Sequence, residues 1–210
     1  MLTETFGLFT NAGLTNSFSG IYDLVHYTNL SDNPQDFTLY LGSLGSAAGD
    51  TSDRLLQTLS GPGIDNITLT ITDNLPTWVA STVRTLGDGV QPTVKNGKRY
   101  ICTTAGTSHA SVQPTWPTTP YGSTVTDGTA VWTLTSLKHE TTEIILALTA
   151  GALVTNTPGG ALAIATSITS GTAGDIPIYI RVTNAVTMVS NNTATPEIIL
   201  TISNLVETQP

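Results

Sequence analysis

"ITLTIT", residues 67–72, alternates Ile67, Leu69 and Ile71 with Thr68, Thr70 and Thr72. Successive side chains of an extended strand point to opposite faces, so this spacing gathers the apolar groups on one side and the hydroxyls on the other. All of these residues except Leu69 are β-branched, stiff at χ1 and suited to a pleated, half-covered surface. The segment reads as a strand with one buried face, and the pattern recurs. "FTLYL" (37–41) sets Phe37, Leu39 and Leu41 against Thr38 and Tyr40. "IYIRVT" (178–183) sets Ile178, Ile180 and Val182 against Tyr179, Arg181 and Thr183, and "IILTIS" (198–203) puts Ile198, Leu200 and Ile202 on one face. Gly and Pro break the runs between them. "DTSDRLLQTL" (50–59) is the best helix candidate, with Asp50 as cap and Leu55, Leu56 and Leu59 facing inward; it is short and fits a strand equally well. The pattern predicts an all-β fold, a β-sandwich.

The 210 residues are 39% hydrophobic and only 10% charged, enough to bury one sizeable core, or one core and a small satellite. About a fifth of them are Thr, well above ordinary usage. The formal net charge is −8 and the sequence pI about 4.5. A polyanion is a poor partner for such a chain, so nucleic acid is excluded. The single Cys permits no internal disulfide. No apolar stretch is long enough to span a bilayer, and Met1-Leu2-Thr3-Glu4 lacks the basic start and apolar run of a secretory leader. The expectation is a chain made in a cytoplasm, with no membrane partner.

"GPGIDNITLTITDN" (61–74) resembles "GTAGDIPIYIRVTNA" (171–185), and each follows a similar lead-in. This predicts two related halves of one sandwich, although Thr/Ala/Gly-rich composition can mimic a repeat. Between the halves the composition changes. Residues 77–137 hold all three Trp, the only Cys and the basic group Lys95, Lys98 and Arg99, whereas all four Phe lie before residue 38. Separate aromatic sets imply separate cores. The expected organisation is an N-terminal arm (1–20), a sandwich domain (21–76 plus 138–210) and a small Trp-rich β-module (77–137) inserted at a loop, where insertion is best tolerated. The arm, with Phe6, Phe9 and Phe18, reads either as a loose terminus or as an extended segment docking on a neighbouring subunit; exposed Phe favours docking.

The insert runs "WVASTVRTLGDGVQPTVKNGKRYICTTAGTSHASVQPTWPTTPYGSTVTDGTAVWT" (78–133). Lys95-Asn96-Gly97-Lys98 reads as a hairpin turn pairing "VQPTV" with "RYICT", and Asp127-Gly128 as a second turn before "TAVW". Trp78, Tyr100, Trp116 and Trp132 are expected to fill a core too small for aliphatics alone. Lys95, Lys98 and Arg99 read as a solvated hairpin tip. Trp116 and Tyr121, in a Pro-rich loop, are candidates for stacking on a sugar ring, with core packing as the competing reading for Trp116. The ordered Trp, Gly-Asp-x-Val, Asn-Gly, Tyr-x-Cys, Pro-Thr-Trp-Pro, Val-x-Asp-Gly, Trp series resembles a small β-module that recurs in tailed-phage structural proteins. More distantly it is similar to the small carbohydrate-binding modules appended to chitinases. The larger unit, through "LVHYTNLSDNPQDFTLYLGS" and "DIPIYIRVTNA", resembles the Ig-like β-sandwich proteins that decorate phage heads or line tail assemblies.

That resemblance implies a non-enzymatic virion protein: a capsid decoration or cement protein whose partners are the major capsid protein or other virion proteins. The low-charge, Thr-rich sandwich with an unpaired arm adds the expectation of a homo-oligomer, a trimer. The alternatives are adhesion to a host surface glycan through Trp116 and Tyr121, or a tail or baseplate scaffold part. Chemistry-bearing motifs are missing. His26, His109 and His139 stand apart with no ligand partner at metal spacing, and no phosphate loop, dinucleotide fingerprint or nucleophile elbow occurs. Asp23 with His26, and Asp127 with Glu140, are pairings common in any chain. "DNPQD" (32–36) and "DTSD" (50–53) read as Asx turns rather than Ca²⁺ loops. No cofactor and no metal are expected.

Overall fold

In a computed structural model of the chain, the structure describes residues 6–20, 31–44, 54–171, 175–184 and 197–208. The readings placed on Asp23, His26 and "DTSD" lie outside them. The strands are β1 (Gly7–Phe9), β2 (Gln35–Gly42), β3 (Leu55–Thr58) and β4 (Ile67–Asp73), then β5 (Val83–Arg84), β6 (Gly89–Val90), β7 (Lys98–Thr104), β8 (Gly106–Thr107), β9 (Thr124–Asp127) and β10 (Ala130–Leu137). The chain continues through β11 (Ile144–Ala147), β12 (Leu162–Ala165), β13 (Ser167–Thr169), β14 (Ile176–Val182), β15 (Ile198–Ile202) and β16 (Leu205–Thr208). Two short 3-10 turns, Thr141–Glu143 and Ala150–Val154, are the helical elements among the described residues. The fold is all-β, built of several antiparallel sheets in a sandwich-like manner. The helix candidate is a strand: Leu55–Thr58 forms β3, with Leu56 and Thr58 buried.

The chain divides into two compact units. The first comprises the described residues up to Thr72, Thr141–Asn184 and those from Leu200 onward. Its alternating segments do what their spacing requires. Ile67, Leu69 and Ile71 are buried along β4, and Ile178 and Ile180 along β14. In the sheet ordered β1-β2-β14-β11, Leu39 faces Ile178, and Ile180 sits between Phe37 and Leu146. The sheet β12-β4-β15 pairs Leu162 with Leu69, and the sheet β13-β3-β16 pairs Leu56 with Ile168. Exchanging β2 with β12, β3 with β13 and β4 with β14 leaves the pairings β2·β14, β12·β4 and β3·β13 unchanged. On the polar side of the β2·β14 pair, Arg181 grips Asp36 through two 2.7 Å bonds, from Nε and Nη2. The guanidinium holds the Asp36 carboxyl below its ordinary range. Asp32, in the same acidic stretch, accepts from Gln35 Nε2 at 2.6 Å.

Of the expected arm (1–20), the described residues 6–20 are not extended away from the fold. Residues 6–20 fold back on their own sheet: β1 pairs with β2, Phe18 N donates to Leu8 O at 2.8 Å, and Phe9 bridges Ser17. The turn between these limbs is closed by Asn11, whose Oδ1 accepts the amides of Thr15 (3.2 Å) and Asn16 (2.9 Å). Phe6 is 5% exposed and Leu14 2%, whereas Phe9 and Phe18 are half-buried. Leu14 adopts φ +50°, a conformation costly for a side chain with a Cβ, and it presses on Gly42, where an added Cβ would lie 2.9 Å from Leu14 Cδ1. The Phe side chains expected to dock on a neighbouring subunit are thus covered, wholly at Phe6 and in part at Phe9 and Phe18, within the chain.

The second unit is Asp73–Glu140 together with, among the described residues, 197–199. It is wider than the 77–137 segment that composition marks out. Its main sheet has the order β6-β7-β10-β9, and β5 pairs with β8 beside it.

Phe6→Ala should destabilise the first unit by about 3 kcal/mol or more, in the range of buried Phe truncations. Phe18→Ala should cost clearly less. Urea denaturation of the two variants decides it; equal, small losses would mean that the segment does not belong to the fold.

Candidate functional site

The second unit is built on one carboxylate. Asp127 ends β9, and its side chain is 1% exposed. Its Oδ2 accepts the indole N–H of Trp78 at 2.7 Å and of Trp132 at 3.0 Å, while Oδ1 accepts the backbone N–H of His109 at 2.8 Å. A buried ionised group is tolerated only when such donors replace its water, and bonds to a charged acceptor are the stronger kind. The clamp thereby ties together the segment between β4 and β5 that carries Trp78, the loop after β8, and the β9–β10 hairpin. That hairpin turns through Gly128-Thr129, with Gly128 at φ +63°, the signature of a turn with glycine at its first central position. Gly128 is also obligatory for space, because a Cβ there would collide with the Thr107 carbonyl.

Around the clamp lie Trp78, Val90, Tyr100, Cys102, Trp132 and Leu134, with Trp116 and Val125 packed on the outside. The expected aromatic core is present, and Trp116 occupies its border. Its ring lies 4.5 Å from that of Tyr100 and 6.0 Å from that of Trp132, and its N–H reaches Gln113 Oε1 at 3.3 Å. Trp116 therefore gives part of its surface to the core and keeps part exposed. Tyr121 is elsewhere engaged: Lys98 Nζ sits 5.2 Å over its ring and 3.2 Å from its hydroxyl. Arg84, on β5, covers Trp132 at 5.6 Å, a cation–π contact on the ring whose N–H is held by Asp127.

The hairpin reading needs correction. Of "VQPTV" only Val90 pairs with β7. Gln91 turns away to exchange backbone bonds with Trp78 and Pro76. Gly97 has φ +68° but Asn96 stays at negative φ; the Asn96 side chain instead accepts Lys98 N–H (3.1 Å) and donates to Tyr100 Oη (2.9 Å). The basic group is not a solvated tip either. Arg99 pairs with Glu197 at 2.9 Å with both side chains nearly covered, and Glu197 Oε2 also accepts His139 N–H at 2.8 Å. Lys95 Nζ (2.8 Å) and the buried Lys138 Nζ (3.0 Å) both meet Asp73 Oδ2, so the entering and leaving ends of the unit are tied to each other. Burial pushes the Asp73 carboxyl up, but Lys95, Gln91, Lys138 and the Leu75 amide outweigh it and hold it at about 2.

These arrangements limit the chemistry available. Both Asp127 oxygens are occupied by donors, and Glu140 belongs to a different network, with Lys138 at 3.2 Å; the two do not form an acid pair. Cys102 is buried, and burial together with the Asp88 charge pushes its thiol up, away from a reactive thiolate. Among the described residues no three His, Cys, Asp or Glu side chains group to hold a metal ion, and no helix is long and apolar enough to cross a membrane. A shallow cleft of about 210 Å³ opens beside the clamp, between His109, Val112 and Gln113 on one wall and Thr126 and Asp127 on the other. Sequence reasoning places Asp127 in a turn and in a chance pairing with Glu140, not at the centre of the core. The available signal was an Asp directly before a hairpin Gly and five residues before a Trp, in a chain with a second Trp lacking an obvious acceptor.

Asp127→Asn should destabilise the second unit by about 2–4 kcal/mol, since an amide must aim N–H at one of the donors; Trp fluorescence on thermal unfolding reads it, and an unchanged melting point would refute the clamp. Asp73 gives a pH prediction. A carboxylate lowered on folding stabilises the folded state above its ordinary range, and that contribution disappears as pH falls from about 4 to about 2. Asp73→Asn should flatten the stability profile in that window.

No protein family model matches the chain, and neither a curated protein nor a solved structure matches it.

Proposed function

We propose that this chain is a non-enzymatic structural protein of a tailed-phage virion, a capsid decoration or cement protein on the outer head surface. The observation that carries the reading is the ordered tryptophan and Asp-Gly cassette. Trp78, Asp127 and Trp132, which give the cassette its resemblance to a recurring phage module, are also the residues joined in the buried clamp. Such a module holds itself together with its own core and suits reuse in different hosts. On the larger unit, Leu59 and Ile64 stand 61% and 81% exposed on the β3–β4 loop, apolar groups of the kind that bury against a partner. Repetition over a symmetric shell makes modest contacts of this sort collectively strong. The partners are then the major capsid protein or neighbouring virion proteins.

A second reading, adhesion to a host surface glycan, draws on the exposed parts of Trp116 and Tyr121. An aromatic face left open beside polar groups suits the apolar face of a pyranose.

Antibody–gold labelling of intact virions distinguishes the two. Label over the head is expected for decoration, and label at the tail tip would shift the weight to adhesion. No label would sink the virion reading unless the epitopes are buried, which labelling of disrupted particles resolves. For the glycan reading, Trp116→Ala should lose retention on host polysaccharide; equal retention of variant and wild type removes its support.

A further inference from the structure

The turn from His109 to Gln113 is closed by an imidazole. His109 Nδ1 accepts the backbone N–H of Ser111 at 3.2 Å and of Val112 at 3.1 Å. This is the part an Asn or Asp oxygen plays in an Asx turn. An imidazole nitrogen accepts only while it carries no proton, so these two bonds require a neutral ring with its hydrogen on Nε2. A second proton converts Nδ1 into a donor facing two backbone donors, and neither bond survives that change. The ring is exposed on the rim of the cleft, within reach of solvent protons.

What the turn carries is Gln113. Its Oε1 accepts both the Thr93 amide at 3.2 Å and the Trp116 indole N–H at 3.3 Å. One short segment thus connects the imidazole to the seating of Trp116. Three elements pack on His109: the turn at 79–82 through Ser81 N to His109 O (3.1 Å), the β9–β10 hairpin through Asp127 and Gly128, and its own loop 110–114. The charged side chain in those three segments is Asp127. It holds the His109 backbone N–H at 2.8 Å and two indoles, and no Lys, Arg or further acid from these elements faces the ring.

We propose that His109 is an acid-sensitive latch: the neutral ring holds the 109–113 turn closed and the Trp116 indole N–H on Gln113, and protonation opens the turn and frees that N–H while the ring stays packed on Tyr100. The latch does not depend on where the protein acts. It makes the exposed aromatic border of the second unit a pH-gated surface.

Site-resolved NMR of the full chain tests it. At pH 8 a long-range ¹H–¹⁵N correlation should place the His109 proton on Nε2. Across about pH 8 to 5, where histidines change charge, the Ser111 and Val112 amides and the Trp116 indole N–H should shift with the His109 midpoint. Exchange protection of the two amides should fall on the order of tenfold. In His109→Asn an oxygen accepts the same amides without titrating, so the closed signals should persist at pH 5. His109→Ala should show the acid-form Trp116 signal at every pH. A proton on Nδ1 at pH 8, amides indifferent to acid, or an acid response in His109→Asn equal to wild type would each overturn the proposal.

Discussion

One buried carboxylate organises the second unit. Removing an ionised Asp from water costs several kcal/mol unless other donors replace the lost hydration, and Asp127 is supplied by two indoles and a backbone amide. The dependence runs both ways. Trp78 and Trp132 are nearly inaccessible to solvent, and an indole N–H buried without an acceptor is itself costly. Each group is admissible in the interior because the others are there. A unit of this size without a disulfide needs such a device, since its apolar core alone is small.

The two units solve the burial problem with different residues. The larger one uses aliphatic alternation, with Leu39, Leu69, Ile178 and Ile180 on the inner faces of paired strands. Its N-terminal Phe6 and Leu14 are recruited to the same sheet instead of being kept for a partner. The smaller one concentrates Trp and Tyr around Asp127 and seals its entry and exit with charge: Asp73 between two lysines, and Arg99 against Glu197. The buried pairs among these, Lys138 with Asp73 and Arg99 with Glu197, add little net stability but strongly disfavour any arrangement that leaves a charge unmatched. They therefore specify where the chain enters and leaves the unit.

Surface function has to work with what that packing leaves over. Trp116 is the core aromatic with the most divided role, braced by Tyr100 and Gln113 on one side and open on the other. Its exposed portion depends on a loop whose geometry is set by hydrogen bonds to His109 and Gln113. Any ligand, protein or glycan, that meets this border meets a surface whose shape is held by a few polar contacts, the most easily perturbed kind when solvent is near.

The amino-acid order by itself determined the strand segments and the existence of two cores. Period-two alternation and the segregation of Phe from Trp are local or compositional properties, legible without knowing what pairs with what. The Asp-Gly turn and the aromatic filling of the small core were legible for the same reason. Only tertiary structure decided the rest. Arg99 looked solvated because its partner Glu197 lies 98 residues further on. The N-terminal segment looked free because nothing local reveals that β2 has an open edge and that Gly42 leaves room for Leu14. Asp127 looked like a turn residue because the indoles that surround it are brought in from 49 and 5 residues away. Charge pairing and polar satisfaction are long-range matching conditions, and a sequence shows the groups to be matched without showing which of them meet.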